Sequence, residues 1–215
     1  MREKIVIIGA GGHARVVAEC VDQLKYEIVG FLDKDDTHVG ELLDGIPIIG
    51  NDVEPAQWLK SGISGCVNGI GHVGNCVIRN KVYTKFKNAG FHMITAIHKS
   101  SMISSNAIIE DGVVVMPGAI VNTGARIMEN VIINSNAVIE HDTIIGKGTH
   151  IAPGCAISGG VTVGENVLIG TGCSIIQSKI VGANTIVGAG TVVTKDIPEN
   201  VVAVGNPARI IREVR

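Results

Sequence analysis

The chain has 215 residues and a formal net charge of −2, a balance that gives no reason to expect a nucleic-acid or anionic-membrane partner. Hydrophobic residues make up 46% of it but aromatic residues only 3%, so the core must be stacked from aliphatic side chains. No apolar run approaches the ~18 residues of a membrane span, no signal-peptide pattern stands near Met1, and the five cysteines lack metal-ligand spacing, which together predict a reducing, cytoplasmic setting.

Residues 1–95 read as alternating strand and helix. Lys4–Ile8 is a short apolar strand, Gly9-Ala10-Gly11-Gly12 a turn, and Val16, Val17, Cys20, Val21 and Leu24 recur at helical spacing. Glu27–Leu32 returns to strand and ends at Asp33. Further strands are predicted at Ile46–Ile49, Cys66–Ile70 and Phe91–Thr95, with helices around Trp58 and over Val77, Ile78 and Val82. This is the pattern of a small α/β unit with a mostly parallel sheet.

From Ile97 the rule changes. Every sixth residue to Val193 is Ile or Val, seventeen in register. Neither the 3.6 period of a helix nor the 2.0 period of a strand gives six, and a strict hexad is the mark of a β-helix. Position one is the large aliphatic and position five is often small, as at Ala107, Ala119, Ala137, Cys155 and Cys173; both are predicted to point inward. Position four favours Gly or Asn, residues that tolerate φ > 0 at a corner. Three hexads make a coil of eighteen residues, so Cys155 and Cys173 stack one coil apart and read as small buried thiols. After Asp196-Ile197-Pro198 the pattern stops, and residues 199–215 are expected to cover the last coil. The domains are therefore expected at 1–95 and 96–215.

Departures from the repeat are candidate chemistry. Glu140-His141-Asp142 occupies positions two to four of one hexad, with His150 nine residues later and Asn134 seven before. Most hexads carry Gly, Asn, Ser or Ala at these outward positions. A neutral imidazole takes a proton from an attacking amine or hydroxyl near pH 7, and a neighbouring carboxylate orients the ring; Glu140 and Asp142 are both candidates for that carboxylate. No nucleophilic Ser or Cys stands beside His141, which favours direct attack over a covalent enzyme intermediate.

The N-terminal turn Gly9-Ala10-Gly11-Gly12-His13-Ala14 satisfies G-x-G-x-x-G/A, and Asp33 ends the second strand at the spacing of a dinucleotide fold. Only about 95 residues precede the hexads, enough for one mononucleotide half, so a single nucleotide is expected and NAD is not. His72, His92 and His98 lack metal-ligand spacing, and no metal is expected. His38 reads as a solvated side chain.

The hexads resemble those of the hexapeptide acyltransferases. The resemblance implies a left-handed parallel β-helix over about residues 97–208; spacing alone does not set the hand, and the general rule for parallel crossovers favours the right. More narrowly, the run Asn134…Val138-Ile139-Glu140-His141-Asp142…His150, the His-bearing glycine turn near the start and Gly205-Asn206-Pro207-Ala208-Arg209 near the end are similar to bacterial nucleotide-aminosugar N-acetyltransferases, whose relatives include sialic acid O-acetyltransferases of the NeuD type. That resemblance implies a Rossmann-like α/β domain holding a nucleotide-linked amino sugar, with Gly11, Gly12 and His13 on the phosphate side, Asp33 on the base side, Gly71 nearby and Asn134 among the substrate-binding residues. It implies His141 as general base, Asp142 raising its basicity, His150 near the acetyl group of acetyl-CoA, and the Gly159 amide at the thioester carbonyl. It also implies a homotrimer with CoA between neighbouring helices. The expected activity is N-acetylation of a nucleotide-linked 4-amino-4,6-dideoxy hexose for surface glycan synthesis. O-acetylation of a sialic-acid-like sugar and a non-catalytic nucleotide-sugar scaffold are the alternatives, the last disfavoured because a scaffold has no use for an oriented base.

Overall fold

The computed structural model describes residues 2–72, 74 and 76–214. The chain divides into two compact units, residues 1–71 with 77–97 and residues 72–76 with 98–215.

The first unit is an α/β sheet. Its elements are β1 (Glu3–Ile8), α1 (Gly12–Cys20), β2 (Tyr26–Leu32), β3 (Leu42–Leu43), β4 (Ile46–Gly50), α2 (Pro55–Lys60), β5 (Gly65–Asn68), α3 (Val77–Asn88) and β6 (His92–Met93). The strand order is β3-β4-β2-β1-β5-β6, parallel throughout except for β3. In β1 four consecutive side chains, Ile5 to Ile8, are fully buried, as a parallel strand covered on both faces requires. α1 buries Ala14, Val17, Ala18 and Cys20, one stripe of a 3.6-residue period.

The structure corrects several boundaries. α1 stops at Cys20, and Leu24 beyond it is 90% exposed, so the helical spacing there was fortuitous. The strand expected at Cys66–Ile70 is Gly65–Asn68, and the last one shrinks to His92–Met93. The hairpin β3–β4 was not expected at all. Its turn is Asp44-Gly45, with φ 50° and 83°, and Asp-Gly between apolar residues is a strong hairpin signal that the sequence does carry.

The second unit is a parallel β-helix. Each hexad contributes a two-residue strand, and strands pair with those eighteen residues on: Val115 with Ile133, then Ile151, Ile169 and Val187. Met102–Ile103 starts a second face and Ile108–Ile109 a third. Position-one side chains from Val115 to Val193 are at most 1% exposed, each worth roughly 1.5–3 kcal/mol on burial. The first hexads are less covered: Ile97 is 37% exposed, and Ile103 and Ile109 are partly buried. Corners at position four take positive φ, from 55° to 58° at Asn130, Asn136, Asp142, Asn166, Ser178 and Asn184.

From Val113 to Thr191 position five is buried except at Lys179, and polar members close on backbone carbonyls. Thr149 Oγ1 donates to Gly164 O at 2.8 Å, Cys155 Sγ to Gly170 O at 3.0 Å and Cys173 Sγ to Gly188 O at 2.9 Å. Both cysteines are free. The contact with Cys173, and then burial, push the Cys155 thiol well above its usual range. Val131 also belongs to this inward set and is 0% exposed. The outward apolar residues left exposed are Met102, Ile108, Ile144 and Ile180. At the end, Val201–Val204 pairs with Ile186–Val187 and Arg209–Glu213 folds back antiparallel on it, covering the last coil.

Candidate active site

The β-helix carries the first cluster. His141 Nδ1 lies 2.9 Å from Asp142 Oδ2. Adjacent residues of a strand point to opposite faces; here Asp142 sits at a corner with φ 57°, and the turn swings its carboxylate back onto the ring. The choice between carboxylates is thereby settled, because Glu140 Oε2 accepts instead from Asn122 Nδ2 at 2.9 Å. With Nδ1–H donated to Asp142, Nε2 holds the free lone pair. Gly159 lies eighteen residues on, against that edge of the ring: a Cβ at 159 would fall 2.5 Å from Nε2. Among the described residues the Gly159 N–H has no backbone acceptor.

His150 has a different environment. It is 7% exposed, and its Nδ1 is 2.8 Å from the carbonyl of His72. Its Nε2 is 2.9 Å from Asn134 Nδ2. Asn134 Oδ1 accepts from Ser135 N at 2.8 Å, so the amide orientation is set and Nδ2 is the donor. His150 therefore donates through Nδ1 and accepts at Nε2, the neutral tautomer. Asn134, expected among the substrate-binding residues, has this ring as its partner.

The α/β unit carries the second cluster. Gly11 caps α1 and Gly12 begins it; a Cβ at either would meet nothing within 4 Å. Packing does not demand glycine there. Gly69 is the contrast, since its Cβ would fall 2.7 Å from Ile7 and 2.8 Å from Ala14. Gly71 lies against His13, whose ring carbon would be 3.5 Å from a Cβ at 71. Asp33 accepts from Asp35 N at 3.2 Å and pairs with His38 Nδ1 at 3.1 Å. His38 is thus a partner of Asp33 and not the freely solvated side chain expected, and the bond to Asp33 raises its pKa.

Two supports had no sequence signal. Arg79, fully buried on α3, donates to the carbonyls of Asn68 and Ile70 at 2.9 and 2.6 Å, and Asn68 returns a bond to Arg79 O. Burial lowers the guanidinium pKa to about 9. Arg79 thus holds the loop that leads to Gly71. Arg15 and Asp44 form a two-bond pair at 2.7 and 2.6 Å. Among the described residues no group of three or more His, Cys, Asp or Glu is placed to hold a metal ion.

Comparison with known proteins agrees with the two-part fold. Residues 4–86 match the PglD N-terminal domain, and residues 106–141, 124–159 and 142–177 match the bacterial transferase hexapeptide (six repeats). PerB from Caulobacter crescentus, solved with CoA and GDP-perosamine, is 36% identical, with 97% of each chain covered and a TM-score of 0.89. The acetyltransferase domain of PglB from Neisseria gonorrhoeae FA1090, solved with acetyl coenzyme A, is 34% identical over 98% of this chain and 100% of that one, TM-score 0.88. WeeI from Acinetobacter baumannii AYE is 26% identical over 97% and 100%, TM-score 0.83. No curated protein sequence matches.

The class defined by fold and comparison is an α/β domain followed by a left-handed parallel β-helix with acetyl-CoA-dependent acyltransferase activity. Within it, the chain belongs to the hexapeptide-repeat sugar N-acetyltransferases that include PerB and the PglB acetyltransferase domain.

Proposed function

We propose that the protein transfers the acetyl group of acetyl-CoA to the amine of a nucleotide-linked amino sugar, a 4-amino-4,6-dideoxy hexose, with His141 as general base. The observation that carries the reading is the 2.9 Å contact of His141 Nδ1 with Asp142, which leaves Nε2 as acceptor beside Gly159. The amine nitrogen attacks the thioester carbonyl carbon while Nε2 takes its proton. Asp142 steadies the resulting imidazolium, and the Gly159 N–H stabilises the oxyanion. The tetrahedral intermediate collapses with C–S cleavage, and the CoA sulfur leaves with the proton from His141. His150, neutral and fixed by Asn134 and the His72 carbonyl, is assigned to the acetyl group of the donor.

Gly11, Gly12 and His13 are assigned to the sugar-nucleotide phosphates, Gly71 to their neighbourhood and Asp33 to base or ribose. The open space at Gly11 and Gly12 supports this. The amine is preferred over a hydroxyl because a perosamine N-acetyltransferase from Caulobacter crescentus, 36% identical to this chain, was solved with CoA and GDP-perosamine. A homotrimer, a cytoplasmic site and a role in surface glycan synthesis complete the reading; the exposed Met102, Ile108, Ile144 and Ile180 are the outer positions a neighbouring helix would cover. No helix among the described residues is long and apolar enough to cross a membrane. The test is CoA release from acetyl-CoA on a panel of UDP-, GDP- and dTDP-linked amino sugars, with sialic acid as the hydroxyl acceptor. Turnover on an amino sugar supports the reading, turnover on sialic acid alone replaces it with O-acetylation, and none on any acceptor leaves the scaffold.

A further inference from the structure

We infer that Gly124 is a positioning residue for the His141–Asp142 pair: the space a side chain would fill at 124 is where the Asp142 carboxylate lies. Gly124 is the corner residue eighteen positions before Asp142, one coil earlier. A Cβ built on it falls 2.4 Å from Asp142 Oδ1, a distance at which one of the two must move. Neighbouring backbone is bonded in place, since Asp142 N donates to Thr123 O at 3.1 Å and Gly124 N to Asn106 O at 3.3 Å. The yielding part is the short, rotatable carboxylate. Its rotation relieves the clash at little cost to the fold, and takes Oδ2 away from His141 Nδ1.

The positive φ of Gly124, 73°, does not by itself require glycine, because Asn holds the same corner at 130, 136, 166 and 184. Stacked corner side chains coexist at 166 and 184, where Asn166 Nδ2 donates to Asn184 Oδ1 at 3.2 Å, so what a side chain at 124 excludes is the present placement of the Asp142 carboxylate. The same relation occurs one corner away, where a Cβ on Gly118 would fall on Asn136 Oδ1, but Asn136 does not touch the pair. The two glycines thus make a matched comparison: equal backbone, equal crowding, different consequence. This inference rests on His141 being the base only for its kinetic readout; the orientation of the ring is read independently.

The experiment compares Gly124→Asn, Gly118→Asn, Asp142→Ala and the double variant Gly124→Asn/Asp142→Ala in the full chain, with acetyl-CoA and an accepted amino sugar. Gly124→Asn is expected to lower kcat at least tenfold, to the level of Asp142→Ala, with both KM values within twofold of wild type and little change in Tm. In the Asp142→Ala background the same substitution is expected to add nothing, since the group it displaces is gone. Gly118→Asn is expected to retain wild-type kcat. The ¹⁵N imidazole shifts of His141 are expected to lose the pure Nδ1–H pattern in Gly124→Asn and keep it in Gly118→Asn, whether or not this ring is the base. A Gly124→Asn protein with wild-type kcat and imidazole shifts, losses that multiply in the double variant, or an equal loss in Gly118→Asn would each overturn the inference. Wild-type turnover by His141→Ala would instead remove the base assignment and leave the imidazole result standing.

Discussion

Asp142 reaches back to His141 across a single peptide bond, 2.9 Å from Nδ1, because its backbone occupies the left-handed region that the corner of the β-helix imposes. His141→Ala is expected to lower kcat by ~10²–10⁴, the usual worth of a positioned base. Asp142→Asn is expected to hold the corner, as Asn does elsewhere in this helix, and to lower kcat by a smaller factor of about 10–100. Asp142→Ala should also cost about 1–2 kcal/mol of stability, because a non-Gly residue lacking a short polar side chain is strained there. Steady-state kinetics and thermal unfolding separate these effects, and wild-type turnover in His141→Ala would sink the assignment.

Asn134 and His150 make a second forecast. The chain Ser135 N to Asn134 Oδ1, Asn134 Nδ2 to His150 Nε2, and His150 Nδ1 to His72 O demands the neutral Nδ1–H tautomer. Nitrogen NMR at pH 7.5 is expected to show it. Asn134→Asp replaces the donor with an acceptor and should convert His150 to the imidazolium, which donates at both nitrogens. An Nε2–H tautomer in the wild-type protein would contradict the network.

Asp33→Ala is expected to raise KM for the nucleotide sugar and leave acetyl-CoA affinity nearly unchanged, at a cost of roughly 1–3 kcal/mol in the lost hydrogen bonds. Loss of uniform binding appears in KM more than in kcat. The competing dinucleotide reading forecasts calorimetric NAD binding that Asp33→Ala abolishes; measurable NAD affinity without nucleotide-sugar affinity would overturn the assignment.

His38 gains its partner Asp33 on folding, and its pKa rises for that reason first. A raised pKa means that the contribution to stability is complete below the unfolded value of about 6.5 and fades as pH rises through the folded one. Thermal midpoints taken from pH 5.5 to 8.5 should therefore fall more for wild type than for His38→Asn. Because the pair is exposed the difference should be small, and parallel profiles would show the pair contributes nothing.

Light scattering is expected to give a particle near three times the 22.4 kDa chain mass. Ile144→Lys and Ile180→Lys, on the exposed outer face of the β-helix, should shift it toward the monomer. A wild-type monomer at micromolar concentration would contradict the trimer.

The hexad pattern and the aliphatic composition specify the β-helix, its eighteen-residue coil and which side chains face inward, because a six-residue period puts position one on the same face of every strand; they leave the hand open. They also singled out His141, since a titratable group at an outward hexad position stands against a background of small residues. Local chemistry is legible in the Gly11-Gly12 turn and in the Asp44-Gly45 pair that turns the β3–β4 hairpin. What only the tertiary structure decided is which groups meet across coils and loops. Asp142 and not Glu140 meets the His141 ring because one lies at a left-handed corner and the other bonds to Asn122 a coil away; Asn134 turns to His150; Arg79 closes on the carbonyls of Asn68 and Ile70 before Gly71. Sequence spacing states which residues share a face or a corner. It does not state which rotamer has room, and room at Asp142 and His141 is set by the missing side chains of Gly124 and Gly159, each eighteen residues distant along the chain and one strand spacing away in space.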